Sequence, residues 1–530
     1  MKTMGLLCFF VASLTIMLPV SLGNSQNQSP DIKQFLSCLS AHSSKTIPEA
    51  VYTPQNASYT SILNLHVQNK RYKTKNTPKP LAIITAKSEN HVQATVTCAK
   101  SSRIQIRIRS GGHDYEAASY VSDVPFVILD MFPLQSVDVD VKSATAWVQA
   151  GATIGQVYYE IAKKSNVLAF PAGVCPTLGA GGHISGGGYG NLMRKYGLSV
   201  DNIIDARLVD ANGVIRDRKS MGEDLFWAIR GGGGASFAAI LSWRVKLVPV
   251  PPQVTVFNVK RSIKEDGTDV AYKWQLVAPK LDRDLFIRVE PNAVNGTVII
   301  SFIGMFLGPI EKLVPMVSKS FPELGLKKSD CIAMPWVNST LFWYDSPIGT
   351  PIQALLPTSQ EPSTIYFKSR SDYVKTPIPK TALKGVWDLM IKCNNVWMQW
   401  NPYGGVMDEI SASATPFPHR KGNLFLIQYF VFWNEDSAAA YDRNMKFSKL
   451  IYEFMTSFVS RYPREAFLNY RDNDIGEKHP SSSTSLKDAQ VYGTKFFKEN
   501  FDRLVSVKTT VDPSNFFTYE QSIPPKSAHL

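Results

Sequence analysis

Gly173-Val-Cys-Pro-Thr-Leu-Gly-Ala-Gly-Gly-His-Ile-Ser-Gly-Gly-Gly-Tyr-Gly190 is the stretch on which the reading of this 530-residue chain turns. It holds Cys175, the one cysteine of the chain set among glycines. Glycine lets backbone approach a ligand with no Cβ in the way, and successive N–H groups in such a loop make a nest for phosphate. A second glycine signal lies upstream, Arg109-Ser-Gly-Gly-His-Asp-Tyr-Glu116, and a third downstream, Ala228-Ile-Arg-Gly-Gly-Gly-Gly-Ala235. Three backbone-rich loops in about 130 residues point to a large, phosphate-bearing cofactor with protein wrapped closely around it. No Gly-Lys-Ser/Thr follows any of them, so none is a P-loop. None is a Gly-x-Gly-x-x-Gly opening a helix after a strand, which argues against a nicotinamide Rossmann site. Taken singly, each loop also reads as a set of turns, and the cysteine as a small core hydrophobe. A Cys175–His183 hydrolase pair leaves the glycine nest unexplained.

The chain is too long for one ordinary core, so two or more domains are expected. Its 44% hydrophobic and 19% charged content describe a globular protein. The formal charge of +13 fits an anionic polymer as a partner, or no specific partner at all. No basic run carries interleaved aromatics, so no nucleic acid is expected. Residues 1–23 read as a secretory signal: Lys2 supplies the positive start, residues 6–22 are apolar, and Ser21-Leu-Gly23 offers a cleavage site. A membrane anchor is the other reading of that stretch. No later segment reaches about 18 apolar residues, so no membrane partner is expected. Asn56, Asn295 and Asn338 lie in glycosylation sequons, and Asn27 in a fourth that Pro30 weakens.

Along the chain, helical periodicity covers Ile32, Phe35, Leu36 and Leu39, with a second amphipathic piece over 59–68. Strand patterns are read at 81–85, 105–109, 126–130, 137–141 and 146–150, with helices at 90–102 and 154–165. This mixed order is α+β. Pro249-Val-Pro-Pro252 reads as a connector, because prolines lack a donor N–H. Beyond it, 254–259, 285–289, 298–305 and 424–433 read as strands of one antiparallel sheet, with helices at 385–392 and 439–460. The expected layout is a signal (1–23), a helical N-terminal part (24–76), a cofactor domain (77–252), a substrate domain (253–465) and a C-terminal segment (466–530). That segment is expected to return to the cofactor domain.

Ser-Gly-Gly-His-Asp, followed by Gly-x-Cys-Pro-Thr-x-Gly-x-Gly-Gly-His-x-Ser-Gly-Gly-Gly, resembles the plant berberine bridge enzyme-like family of flavoproteins. So do Asn202-Ile-Ile-Asp-Ala, Ser220-Met-Gly-Glu-Asp-Leu-Phe-Trp, Val511-Asp-Pro-Ser-Asn-Phe-Phe and Glu520-Gln-Ser-Ile-Pro-Pro. The likeness spans nearly the whole mature chain. It implies a two-part FAD-binding domain of the vanillyl-alcohol-oxidase type, and a substrate domain whose antiparallel sheet is covered by helices. It implies FAD held twice, with His113 on the 8α-methyl carbon and Cys175 on C6. A neutral imidazole nitrogen and a thiolate are the side chains best able to attack those electrophilic positions. The cofactor-binding set it implies also includes Arg109, Ser110, Gly111, Gly112, Asp114, Thr177, Leu178, Gly179, Gly182, His183, Ser185, Gly187, Gly188, Tyr189 and Asn515. An oxidising compartment favours pairing Cys38 with Cys98, as the family does. Cys331 and Cys393 could pair or stay as buried thiols.

The resemblance also shows where this chain departs. Hydride loss from a C–H to FAD usually needs a base for an adjacent O–H or N–H proton. The family places it on the strand that here runs through 423–433, or in the C-terminal segment. The matching positions are Leu426 and Leu486, and leucine accepts no proton. What remains is a catalytic set of Tyr115, Tyr189, Tyr470 and Gln428, with Arg288 or Lys368 as neighbours able to depress a phenol. Leu178 stands where the family guards an oxygen pocket, and implies sluggish reaction with oxygen and use of another acceptor. The expected protein is a monomeric, secreted FAD-dependent oxidoreductase, of wall or vacuole, acting on a small alkaloid, phenolic or terpenoid. A monolignol or sugar alcohol is an alternative substrate. The missing bases lean toward a substrate that is already activated, such as an amine, and also fit a redox-neutral cyclase on the same fold; a wall-associated binding or defence protein with a vestigial site is a third reading.

Overall fold

The computed structural model describes residues 31–42, 48–356, 364–478 and 486–526. The signal segment and Asn27 lie outside them. Two larger sheets build the first half, beside a two-stranded pairing of Leu168–Ala169 with Val248–Pro249. One is four-stranded, in the order Val51–Tyr52, Ile83–Thr85, Phe126–Asp130, Gln105–Arg109, and its last three strands are parallel. The helix Glu89–Ser101 makes the crossover from Ile83–Thr85 to Gln105–Arg109. The second sheet is five-stranded and antiparallel, in the order Val137–Asp140, Thr145–Gln149, Ala239–Lys246, Ile203–Val209, Ile215–Arg216. A Cys38–Cys98 disulfide ties the helix Ile32–Ala41 to Glu89–Ser101. Cys331 and Cys393 are free.

A seven-stranded antiparallel sheet dominates the second half. Its order is Cys331–Met334, Val254–Ser262, Thr297–Phe306, Leu285–Val294, Val396–Pro402, Phe425–Trp433, Tyr366–Val374. Side chains alternate across its faces. Ile287, Val289, Met398, Trp400, Ile427 and Tyr429 join the buried cluster under the helices Gly267–Val277, Lys380–Cys393 and Ala438–Met455. Leu426 instead joins the core of the first half, and its facemates Gln428 and Phe430 look into the space between the halves. The chain then returns: the helix Asn500–Val511 packs on Arg218–Ile229, and Arg107 pairs with Glu520 at 2.5 Å.

The α+β reading holds. Tyr366–Val374 was not expected as a strand, because Lys368, Arg370 and Asp372 break its apolar pattern. All three are buried, and ion pairs make that burial tolerable: Arg464 meets Asp372 at 2.5 Å and Arg370 meets Asp472 at 2.7 Å.

Candidate active site

The three glycine loops converge on one cavity of about 420 Å³ between the halves. The loop after Gln105–Arg109 contributes Ser110, Gly111, Gly112, His113, Asp114 and Tyr115. Gly112 has φ +70, and a Cβ there would sit 1.8 Å from the His66 carbonyl oxygen. A Cβ on Gly111 would meet the Gly179 nitrogen at 2.5 Å, so the first and second loops touch backbone to backbone. Among the described residues, the N–H groups of Gly111, Gly112 and His113 donate to no protein acceptor. The Ser119 hydroxyl, also on the cavity wall, is buried with no partner. Free donors on a glycine loop beside an unpartnered hydroxyl are what a phosphate-bearing ligand satisfies.

His113 and Cys175 meet through one hydroxyl. Thr177 Oγ1 lies 2.9 Å from His113 Nε2 and 3.3 Å from Cys175 Sγ. Burial, helped by the charge of nearby His66, pushes His113 down to about 4, so its imidazole is neutral. Burial pushes the Cys175 thiol up; the Thr177 hydroxyl and the N–H groups of Thr177 and Leu178 draw it partly back. His183 Nε2 accepts the Gly173 N–H at 3.0 Å, and burial holds this ring too at about 4. Its proton therefore sits on Nδ1.

The opposite wall is phenolic. Tyr189 and Tyr470 share a short hydrogen bond. Asn401 Nδ2 donates to Tyr189 Oη at 3.1 Å, and Gln428 Nε2 donates to Tyr115 Oη at 2.9 Å. The Tyr470 ring stands edge-on to both Tyr115 and Tyr189. All three tyrosines are raised, not depressed. Burial lifts Tyr115 and Tyr470 far above the ordinary phenol range and lifts Tyr189 too, with Arg288 drawing Tyr189 partly back. Lys368 plays no part beside them. It lies on the opposite face of its strand from Ser369, which bonds Gln428, and its ammonium is held by Glu116, Asp472 and Asp474.

Of the other expected residues, Leu178, Gly179, Gly182, Ser185 and Tyr189 line the cavity. Thr177 does not line it but lies within hydrogen-bond reach of His113 and Cys175, which do. Four others do not reach it. Arg109 is spent on Asp130, at 2.6 Å, and on the carbonyls of Ile62 and Leu63. Gly187 and Gly188 turn the chain behind the lining, with φ of +125 and +71. Asn515 sits in the turn after Asn500–Val511. Leu426 is buried below the cavity, and Leu486 packs on the first-half core. Arg471, Asn401 and Glu290 were not anticipated. Arg471 pairs with Asp114 at 2.8 Å and lines the cavity. Its neighbour Tyr470 was the one signal that pointed to it.

Residues 80–218 match the family model for an FAD binding domain, and residues 466–524 the model described as berberine and berberine like. Berberine bridge enzyme-like 17 of Arabidopsis thaliana is 54% identical over 523 residues, 97% of this chain and 98% of that one. The chain belongs to the berberine bridge enzyme-like family. It is an FAD-linked oxidoreductase, and its substrate is a small molecule. The fold agrees: berberine bridge enzyme-like 28 from Arabidopsis thaliana superposes with a TM-score of 0.89 at 44% identity, covering 93% of this chain and 99% of that one. Phl p 4, a grass pollen allergen with glucose dehydrogenase activity, gives 0.88 at 42% identity over the same shares. Among the described residues, no helix is long and apolar enough to cross a membrane.

Proposed function

We propose that this chain holds FAD by two covalent bonds, to His113 and Cys175, and oxidises a small specialised metabolite whose O–H or N–H proton passes to Tyr189. The observation that carries this is the Thr177 hydroxyl joining His113 to Cys175 on one wall of a cavity whose other wall is the Tyr189–Tyr470 pair. Bound FAD supplies the hydride acceptor. The protein supplies the rest. Thr177 engages His113 Nε2 and leaves Nδ1 for the flavin. The free N–H groups of the Gly111 loop suit the phosphates, and Arg471 and Ser119 add donors on the same wall. Asn401 directs an N–H at Tyr189 Oη, which favours the anionic phenol that takes a proton.

The Cys38–Cys98 disulfide supports passage through an oxidising, secretory compartment. Asn56 and Asn295 are exposed, the latter in a hairpin turn beside Gly296, and both suit glycans. Asn338, half-buried in the helix Trp336–Trp343, suits one less well.

The tether test is a denaturing gel read by flavin fluorescence. His113→Ala and Cys175→Ala should each keep flavin on the denatured chain, and the double variant should release all of it. Flavin released from the native sequence on denaturation refutes the covalent reading.

Leu178 lines the cavity three residues after Cys175. Leu178→Val removes one methylene, and reoxidation of the reduced protein by air is expected to accelerate at least tenfold in stopped-flow absorbance. An unchanged rate means that Leu178 does not limit oxygen access.

A further inference from the structure

Four side chains form a hydrogen-bonded chain that no motif announced. Glu290 and Arg288 lie two apart on Leu285–Val294, on the face turned away from the helices. Glu290 Oε1 lies 3.4 Å from Arg288 Nη1. Arg288 Nε donates to Asn401 Oδ1 at 2.7 Å, and Asn401 Nδ2 donates to Tyr189 Oη at 3.1 Å. Tyr189 then meets Tyr470. Arg288 and Asn401 are 2% and 0% exposed, whereas the Glu290 side chain is 16% exposed. The chain thus runs from a partly wetted carboxylate to two buried phenols.

Its polarity is set by chemistry. A guanidinium has only donors, so Asn401 must turn its oxygen to Arg288 and its N–H to Tyr189. An N–H aimed at Oη and a cation behind it both favour the phenolate. A carboxylate on Arg288 cancels that cation and favours the neutral phenol. We propose that Glu290 is a positioning residue that, through Arg288 and Asn401, sets how readily Tyr189 gives up its proton. The proposal rests on the reading of Tyr189 as the proton acceptor, and gives that site its regulator. Other groups act on the two ends. The indole of Trp397 and the carboxylate of Asp345 face Glu290. Tyr470, Tyr115, Tyr373, Tyr403 and the Gln399 amide oxygen face Tyr189. Burial already lifts Glu290 above the ordinary carboxylate range, with Arg288 opposing. Its charge is therefore sensitive to whatever occupies the cavity beside Arg288.

The test uses the flavin-loaded full chain with 2,3-difluorotyrosine at position 189, whose phenol titrates low enough to follow by fluorine NMR. Glu290→Gln keeps the side-chain shape and removes the charge. It is expected to lower the apparent pKa at position 189 by about one unit, a tenfold gain in acidity. Arg288→Met should raise it, and adding Glu290→Gln to Arg288→Met should then change nothing, because the path is cut. Asn401→Leu, which breaks the next link, should also raise it; Glu290→Met, which also removes the charge at that position, serves if Glu290→Gln does not fold, with the same fall expected. An unchanged titration in Glu290→Gln, or an equal shift with and without Arg288, overturns the proposal. This readout needs no turnover. A failure of Tyr189 as base therefore shows separately, as normal flavin reduction in Tyr189→Phe.

Discussion

Tyr189→Phe is expected to slow flavin reduction by substrate about 100- to 10,000-fold, the usual range for loss of a positioned base. The substitution removes one oxygen and leaves the ring packed edge-on against Phe467 and Tyr470. It also leaves Asn401 with an unaccepted N–H at a 0% exposed position, so a modest loss of stability should accompany the kinetic one. The pH profile separates the two effects. Burial holds Tyr189 above the ordinary phenol value of 10.0. The fraction in the accepting, anionic form therefore grows as pH rises towards that value. In the native sequence the anaerobic reduction rate should climb with pH through the neutral range, and in Tyr189→Phe the slope should vanish. A variant that reduces at the native rate with the slope intact refutes the role. Of the phenols on the cavity wall, Tyr189 is the best suited to take the proton, with the Asn401 N–H on its oxygen and Arg288 opposing the effect of burial. Tyr115 and Tyr470 are the less suited, being lifted furthest by burial.

The largest stability effect is expected at Lys368. Its ammonium is 1% exposed and meets Glu116, Asp472 at 2.6 Å and Asp474 at 3.3 Å. Burial alone lowers such an amine, but the three carboxylates outweigh it and hold Lys368 raised and charged. Lys368→Met leaves Glu116 and Asp472, each 3% exposed, without this cation. Breaking a buried pair in this way costs about 3–5 kcal/mol, measurable by chemical denaturation. Arg71 and Arg370 still face these carboxylates, at 3.6 and 2.7 Å, which argues for the lower end. The effect should reach the cavity. Glu116 follows His113 by three residues and Asp472 follows Tyr470 by two, so one cation clasps the loop of His113 to the segment of Tyr470. Adding Glu116→Gln should recover part of the loss, because it removes a carboxylate that has lost a partner. A change below about 1 kcal/mol would mean that the clasp contributes no more than a surface ion pair.

What the sequence determined by itself was local and patterned. The glycine loops around His113 and Cys175 were legible, because close backbone approach demands glycine at particular places, and Gly111 and Gly112 meet backbone within 2.5 Å of where a Cβ would stand. The alternation in Phe425–Trp433 correctly put Gln428 on the cavity face with Leu426. Long, specific motifs also carried the family. What only the tertiary structure decided was the pairing of charge with charge across the chain. Tyr366–Val374 did not read as a strand because its polar residues are satisfied by partners about a hundred residues away or more: Arg464, Asp472 and Glu116. Arg109 looked like part of a cofactor loop, but Asp130 on the adjacent parallel strand claims it. The tyrosines looked able to ionise beside a cation, but burial outweighs Arg288, and Lys368 points to the other face. Glu290, Arg288, Asn401 and Tyr189 sit on three separate pieces of chain, and no spacing along the sequence encodes their meeting. Periodicity reports which face of an element is buried; it carries no record of which distant groups close over that face, and the burial and the Arg288 charge that act on Tyr189 both come from there.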